Sequence, residues 1–177
     1  MDVNLHWFNG YYNQTFSNQK VANEYFENLV KKDLVKFQCH PLVNSVWCKL
    51  QYNVDSPLEL DFARNQHEWN YLHPLFDPFW YQETYLIPNG KFNIDPYTHF
   101  LEIGHKKINS THPLIDSHLL MKQFPDRSYI DTLVHLGIIL MKDEYRSLRN
   151  IKLGQLPLLN LEIDWNYLYP ALAWKWI

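Results

Sequence analysis

The stretch His73-Pro74-Leu75-Phe76-Asp77-Pro78 decides the fold that the sequence predicts, because its central tetrapeptide recurs along the chain. The recurring pattern is Pro-Leu-apolar-(Asn or Asp), and its copies are Pro41-Leu42-Val43-Asn44, Pro74-Leu75-Phe76-Asp77, Pro113-Leu114-Ile115-Asp116 and Pro157-Leu158-Leu159-Asn160. A histidine precedes the first three copies, at His40, His73 and His112. Copies in this order, with the same histidine in three of them, indicate an internal repeat.

Each copy predicts a joint between two helices. Proline cannot continue a helix and disfavours helical backbone at the residue before it, so the preceding helix is expected to stop there. The Asn or Asp that follows is expected to be an N-cap, whose side chain accepts hydrogen bonds from free N–H groups of the next helix. The predicted caps are Asn44, Asp77, Asp116 and Asn160, with Asp95 as a further cap before Pro96.

The joint histidines have two possible roles. A catalytic residue is needed once per site, whereas a structural residue is needed once per repeat. His40, His73 and His112 occupy one repeated position. They are therefore predicted to be structural residues whose ring nitrogens bond nearby carbonyl groups.

The segments between the joints predict helices. Tyr97, Phe100 and Leu101 have helical spacing, and Gly104 is expected to end that helix. Ser56-Pro57 with Glu59 matches a capping box and predicts another helix. No strand-like alternation is seen, so the prediction is an all-α fold of tandem two-helix repeats, either a short solenoid or a compact bundle. One domain is predicted over 1–177, with repeats at about 1–40, 41–73, 74–112 and 113–156 and a terminal half-repeat at 157–177.

The composition narrows the class of function. The net charge is −3, and no run of Lys or Arg exceeds two residues, which argues against a nucleic-acid partner. No apolar run is long enough to predict a membrane span. The first residues lack the pattern of a signal peptide, so a cytoplasmic location is expected.

Motifs of catalysis and metal binding are missing from the sequence. There is no H-E-x-x-H, C-x-x-C, G-x-S-x-G, phosphate loop or dinucleotide fingerprint, and Cys39 and Cys48 are expected to be buried, reduced thiols. The sequence therefore predicts no catalytic residue, no metal site and no cofactor. An alternative stays open, in which a small enzyme combines His and Asp side chains from different repeats, near His99, His105 and His118.

Aromatic residues make up 16% of the chain, and they either form a core of large side chains in thin layers or include rings that face outward. Phe79, Trp80 and Tyr81 are consecutive and would point in different directions from a helix, so either both sides of the helix are covered or one ring is exposed. Exposed aromatic rings are typical of docking sites for proteins and glycans. The predicted binding residues are Phe79, Trp80, Tyr81, Trp174 and Trp176.

The second repeat resembles a known helical repeat. Its residues Asp95-Pro96, His99-Phe100 and Gly104 match the most regular segment of a module found with bacterial, especially cyanobacterial, glycosyltransferases and surface-polysaccharide proteins. The match covers residues 73–116, and the E-G-R that follows the glycine in that module is replaced here by His105-Lys106-Lys107. The resemblance implies helical repeats and a role in glycan synthesis, and it carries over no active-site residue.

The sequence therefore predicts a non-catalytic binding module that is accessory to polysaccharide or glycan biosynthesis. A protein partner or self-association is expected, and a saccharide ligand is the second possibility.

Overall fold

The computed structural model describes residues 1–65 and 68–141, and this part of the chain is mostly helical. Its α-helices are α1 (Leu5–Tyr12), α2 (Gln19–Lys32), α3 (Ser45–Tyr52), α4 (Pro78–Tyr81), α5 (Pro96–Glu102), α6 (Ser117–Gln123) and α7 (Tyr129–Leu140). After α4 the chain continues as a π-helical turn at Gln82–Leu86 and a 3₁₀ turn at Ile87–Asn89. The fourth joint with Asn160, and the predicted binding residues Trp174 and Trp176, lie outside the described residues.

The described residues form two compact units. The first unit comprises Met1–Pro74 and Leu133–Met141, and the second comprises Leu75–Thr132. Fully buried residues of the first unit are Phe8, Ala22, Phe26, Leu42, Leu72 and Leu133. Those of the second unit are Tyr81, Leu86, Tyr97 and Phe100. Removing each large apolar side chain from water contributes about 1.5–3 kcal/mol to stability, and these side chains form the core of each unit.

The all-α prediction is wrong between the first two joints. There the chain forms a short antiparallel pair of strands, β1 (Ala63–Asn65) and β2 (Glu68–Trp69). The helix predicted after Ser56 is only a 3₁₀ turn, Pro57–Glu59, although Ser56 and Glu59 do make the capping box. Strands this short cannot display the alternation by which strands are recognised in a sequence.

Side-chain caps open the helices that follow the joints. The side chain of Asn44 accepts from the Trp47 N–H at 2.9 Å and begins α3. The carboxylates of Asp77, Asp95 and Asp116 accept equivalent bonds at the starts of α4, α5 and α6. The prolines, in contrast, do not end the preceding helices. Helix α2 already ends at Lys32, well before Pro41, and a loop leads into the joint.

We expect loss of the Asn44 cap to destabilise the protein more than loss of an exposed cap. Asn44 is 2% exposed, so the Asn44→Ala substitution leaves an N–H group without its partner and away from water. The expected loss in the free energy of unfolding is about 2 kcal/mol, measured by urea denaturation.

The matched control is Asn18→Ala, because the Asn18 side chain caps α2 at an exposed position. Water can replace that cap, so a loss of about 0.5–1 kcal/mol is expected. Equal losses in the two variants would contradict the structural role given to the buried cap.

A backbone hydrogen bond links the start of each of three helices to the joint that comes next in the chain. In each case, the N–H of the cap residue donates to the carbonyl of the residue immediately before the next His-Pro. The three bonds are Asn4 to Cys39 at 2.9 Å, Asn44 to Leu72 at 2.8 Å and Asp77 to Thr111 at 2.8 Å.

A tyrosine hydroxyl forms a second recurring bond in the same three segments. The tyrosine lies eight residues after the cap, and its hydroxyl accepts from the N–H of the residue two before the next joint histidine. The three bonds are Gln38 to Tyr12 at 2.9 Å, Tyr71 to Tyr52 at 2.7 Å and Ser110 to Tyr85 at 3.0 Å. These tyrosines therefore have a structural role that accounts for part of the aromatic content.

Among residues 1–65 and 68–141, no helix combines the length and the apolar character needed to cross a membrane.

Candidate functional site

A cluster of polar side chains lies in the second unit, and it consists of Tyr81, Lys91, His99 and Asn109. We call it the Tyr81 cluster. The Tyr81 hydroxyl oxygen lies 3.0 Å from His99 Nδ1, and it accepts a hydrogen bond of 3.2 Å from Asn109 Nδ2. On the other side of the imidazole ring, Lys91 Nζ lies 3.5 Å from His99 Nε2. The cluster thus joins the ammonium group of Lys91, a half-buried residue, to a hydroxyl group in the core.

The positions of Tyr81 and His99 are apolar or small in other segments of the chain. Tyr81 lies four residues after its cap, and the corresponding residues are Phe8, Cys48 and Leu120, all buried. His99 lies four residues after the Asp95 cap, and the buried Ala22 holds the same place after Asn18. Helix packing at these positions therefore does not require polar groups. The buried pair of Tyr81 and His99 is a candidate for function, because smaller or apolar side chains fill these positions in other segments.

Gly104 makes room for the Tyr81 hydroxyl. A Cβ atom at residue 104 would overlap this hydroxyl and would lie 3.1 Å from Cδ2 of Phe100. Helix α5 ends just before Gly104, as predicted: its last residue is Glu102 and its C-cap is Ile103. Gly104 does not adopt the left-handed conformation of a glycine cap and begins a 3₁₀ turn instead. The glycine is needed for close approach rather than for a left-handed backbone.

Burial keeps both titratable groups of the pair neutral. It raises the pKa of Tyr81 to about 12, so the hydroxyl stays protonated. Burial, and then the ammonium groups of Lys91 and Lys107, lower the pKa of His99, while the Glu102 carboxylate acts in the opposite direction. An ammonium group can only donate, so we assign His99 Nε2 as the acceptor from Lys91. Nδ1 then carries the proton and donates to the Tyr81 oxygen.

Exposed apolar side chains lie next to Lys91 in the chain. We call residues 87–94 the apolar turn, since Ile87, Phe92 and Ile94 are 41%, 58% and 37% exposed. The turn is fixed by hydrogen bonds from Gly90 N–H to the Ile87 carbonyl and from Lys91 N–H to the Leu86 carbonyl, both 3.0 Å long. Gly90 has a φ of 68°, a conformation that favours glycine. These bonds fix the backbone from Leu86 to Lys91, and Phe92 follows it directly in the chain.

The three predicted binding residues of helix α4 differ in their exposure to solvent. Tyr81 is 0% exposed, so its ring cannot contact a macromolecular partner, whereas Phe79 and Trp80 are half-buried. Trp80 lies three residues after its cap, where Trp7 and Trp47 also lie in α1 and α3. Three helices therefore carry a tryptophan at the same distance from the cap, and the binding role of Trp80 stays a prediction.

Two of the three joint histidines make local hydrogen bonds within their joints. His40 Nδ1 accepts from the Leu42 N–H at 3.1 Å, and His112 Nδ1 accepts from the Leu114 N–H at 3.2 Å. His40 and His112 thus bond to backbone N–H groups rather than to the predicted carbonyl groups. His73 makes a backbone hydrogen bond to Leu133 that raises its pKa, as a bond to a carbonyl group does, and agrees with the prediction. His73 is also buried, and burial lowers the pKa of all three histidines.

The His and Asp residues that the enzyme alternative would combine lie in different surroundings. His99 belongs to the Tyr81 cluster, His105 Nδ1 lies 3.1 Å from the Phe100 carbonyl oxygen, and His118 is exposed on α6. Asp77, Asp95 and Asp116 accept hydrogen bonds as helix caps.

Cys39 and Cys48 are buried, free thiols, and burial raises the pKa of each. Within the described ranges, no group of three or more His, Cys, Asp or Glu side chains is placed to hold a metal ion.

The sequence analysis missed the roles of Lys91 and Asn109 and the recurring aromatic positions. Two signals could have found the aromatic positions: a tryptophan three residues after a cap and a tyrosine eight residues after it. Aligning the segments on their caps would also have shown that Tyr81 and His99 depart from an apolar pattern.

Comparison of the chain with protein-family models, with curated proteins and with solved structures finds no match.

Proposed function

We propose that this protein is a non-catalytic helical-repeat binding module whose apolar turn docks a partner protein. The observation that carries the proposal is the exposure of Ile87, Phe92 and Ile94 on one fixed turn. Large apolar side chains that are scattered singly over a surface need no explanation, whereas a group of them marks an interaction site.

The distribution of exposed side chains supports this choice of surface. The described residues include eight large hydrophobic side chains that are exposed, and three of them belong to the apolar turn. Phe92 is the most exposed of the eight. Aromatic side chains are enriched among the residues that dominate binding energy in protein interfaces, and Phe92 is the natural anchor of this surface.

The repeat architecture is part of the proposal. Two hydrogen bonds recur three times at equivalent positions, one from the cap N–H and one to the tyrosine hydroxyl. Helices α1 and α3 also share their length, an Asn N-cap and a left-handed Asn C-cap. These features support tandem two-helix repeats with one shortened member that contains the strands. The resemblance over residues 73–116 suggests that the partner takes part in glycan synthesis.

The enzyme alternative has one supporting observation, the non-recurring Tyr81 and His99 pair. Proton transfer through this pair is opposed by its burial, which raises the pKa of Tyr81 and lowers that of His99. The aspartates that the alternative requires accept hydrogen bonds at helix starts. The binding-module proposal therefore agrees with more of the structural observations than the enzyme alternative does.

The Phe92→Ala variant is expected to lose partner binding while its fold remains stable. The side chain is largely exposed, so the free energy of unfolding should change by less than about 0.5 kcal/mol. Loss of an interface anchor costs about 2 kcal/mol or more, which is roughly a 30-fold loss of affinity. The measurement is quantitative capture of proteins from cells of the source organism by immobilised wild type and variant, with sedimentation velocity for self-association.

The matched control is Val21→Ala, because Val21 is an exposed apolar residue of helix α2 and lies outside the apolar turn. The proposal requires a captured protein or a self-association that Phe92→Ala abolishes and Val21→Ala preserves. Equal behaviour of the two variants would reject the apolar turn as the binding surface. Glycan-array binding that survives in Phe92→Ala would instead support a saccharide ligand bound elsewhere.

A further inference from the structure

We propose that Lys91 and His99 form a binding site for a phosphate-type oxyanion in the second unit, and that Lys107 adds positive charge nearby. The geometric basis is the Tyr81 cluster, in which the ammonium group of the half-buried residue Lys91 faces an imidazole nitrogen at 3.5 Å rather than a carboxylate. Partly buried cations are normally paired with an anion, because burial disfavours an isolated charge. Within the part of the chain that the structure describes, neither Lys91 nor Lys107 forms an ion pair with a carboxylate.

The charges around His99 favour an anion. The ammonium groups of Lys91 and Lys107 both act on this imidazole, and the carboxylate of Glu102 is the opposing charge. Two cations and one carboxylate leave a local excess of positive charge. Lysine is a common ligand of phosphate groups in proteins, since its ammonium group offers three donors to the oxygens.

His99 can respond to an anion by gaining a proton at Nε2, because its Nδ1 proton is already held by the Tyr81 hydroxyl oxygen. When an oxyanion approaches Lys91 and Lys107, its negative charge raises the pKa of His99. His99 can then take up a proton at Nε2 and donate from that atom to the anion. Nδ1–H continues to donate to the Tyr81 oxygen, which is oriented by Asn109. Anion binding and proton uptake by His99 are therefore coupled.

This site shares Lys91 with the apolar turn but does not require a protein partner to be bound there, and its ligand chemistry could be supplied by a free phosphate, a nucleotide or a phosphorylated macromolecule. Separate titrations with inorganic phosphate, a nucleoside diphosphate and a phosphopeptide distinguish these sources. Failure of the oxyanion test leaves the Phe92 experiment unaffected. Failure of the Phe92 experiment likewise leaves the oxyanion site standing.

The test follows the His99 ring signals by NMR during titration with inorganic phosphate, compared with chloride at equal ionic strength. Saturable shifts are expected with phosphate alone, and Lys91→Met and Lys107→Met should each weaken binding about tenfold, the effect of losing about 1.4 kcal/mol. The control Lys122→Met removes an exposed charge on α6 and should leave the affinity within about twofold.

The coupling to His99 is tested with sulfate, whose charge is constant between about pH 5 and 8, where histidine titrates. Sulfate affinity should rise as the pH falls, and this pH dependence should be lost in His99→Gln. Two results would overturn the proposal: equal shifts with chloride and phosphate, or unchanged phosphate affinity in Lys91→Met. Either result would show an adventitious ion only.

Discussion

Replacing Gly104 with alanine is expected to destabilise the second unit by about 2–3 kcal/mol, the range of an overpacked core. The new Cβ would overlap the hydroxyl of Tyr81, whose ring is fully buried and cannot move without displacing its neighbours. Alanine in a helical segment normally gains stability over glycine, so the sign of the effect is itself diagnostic. The measurement is the change in the free energy of unfolding in urea.

The matched control is Gly10→Ala in helix α1. A Cβ at residue 10 meets no atom within 4 Å, so this variant should be more stable than wild type by about 0.5–1 kcal/mol. A Gly104→Ala variant as stable as Gly10→Ala would contradict the tight packing of glycine against Tyr81. NMR signals of His99 should also shift in Gly104→Ala and not in Gly10→Ala, because only Gly104 contacts the Tyr81 cluster.

The protein is expected to lose stability steeply as the pH falls below about 6.5, the ordinary pKa of histidine. Burial lowers the pKa of His40 and of His73 to about 3 in the folded state. Between these values the unfolded chain binds a proton at each histidine and the folded chain does not, so acid favours unfolding. Each histidine contributes a slope of up to about 1.4 kcal/mol per pH unit. Urea denaturation from neutral pH to pH 4 measures the combined slope.

A variant can separate the His40 contribution from general acid effects. In His40→Asn, the amide oxygen can accept from the Leu42 N–H as in an Asx turn, while the titratable ring is removed. The smaller side chain leaves a cavity that lowers stability at all pH values. The slope of the free energy of unfolding against pH should nevertheless become shallower by up to about 1.4 kcal/mol per pH unit. The control His6→Asn, at an exposed residue of α1, should keep the wild-type slope. An unchanged slope in His40→Asn would show that this histidine is not held neutral by burial.

The starts of the helices could be predicted from the sequence, because capping is a local interaction. Asn44, Asp77, Asp95 and Asp116 each accept from an N–H group two or three residues ahead, and no distant contact is needed. The ends of the helices depend on tertiary packing and were predicted less well. Pro41 marks the joint, but α2 already ends at Lys32, and the residues between Lys32 and Pro41 form a loop rather than a continuation of the helix.

The strand pair could not be predicted, for a related reason. β1 and β2 contain three and two residues, so neither presents a periodic pattern. The capping box at Ser56 is a genuine start signal, and the structure uses it for a single 3₁₀ turn. A start signal fixes where a helix begins and leaves its length to packing.

The candidate site required the structure because its members are far apart in sequence. Tyr81 and Asn109 meet through the packing of separate elements, and no spacing rule joins them. The exposure of Phe92 could not be predicted from the sequence either, because an apolar residue in a turn can be buried as readily as exposed. The consecutive rings at 79–81 attracted attention in the sequence, yet Tyr81 is in the core.

The most direct test of the binding function is photo-crosslinking from the apolar turn. The photoreactive amino acid p-benzoylphenylalanine replaces Phe92, which preserves an aromatic ring at this position, and the chain is irradiated in cells of the source organism. The account predicts a discrete protein adduct from position 92, identified by mass spectrometry, that is missing when Val21 carries the same group. No adduct from position 92, or the same adducts from both positions, would contradict it.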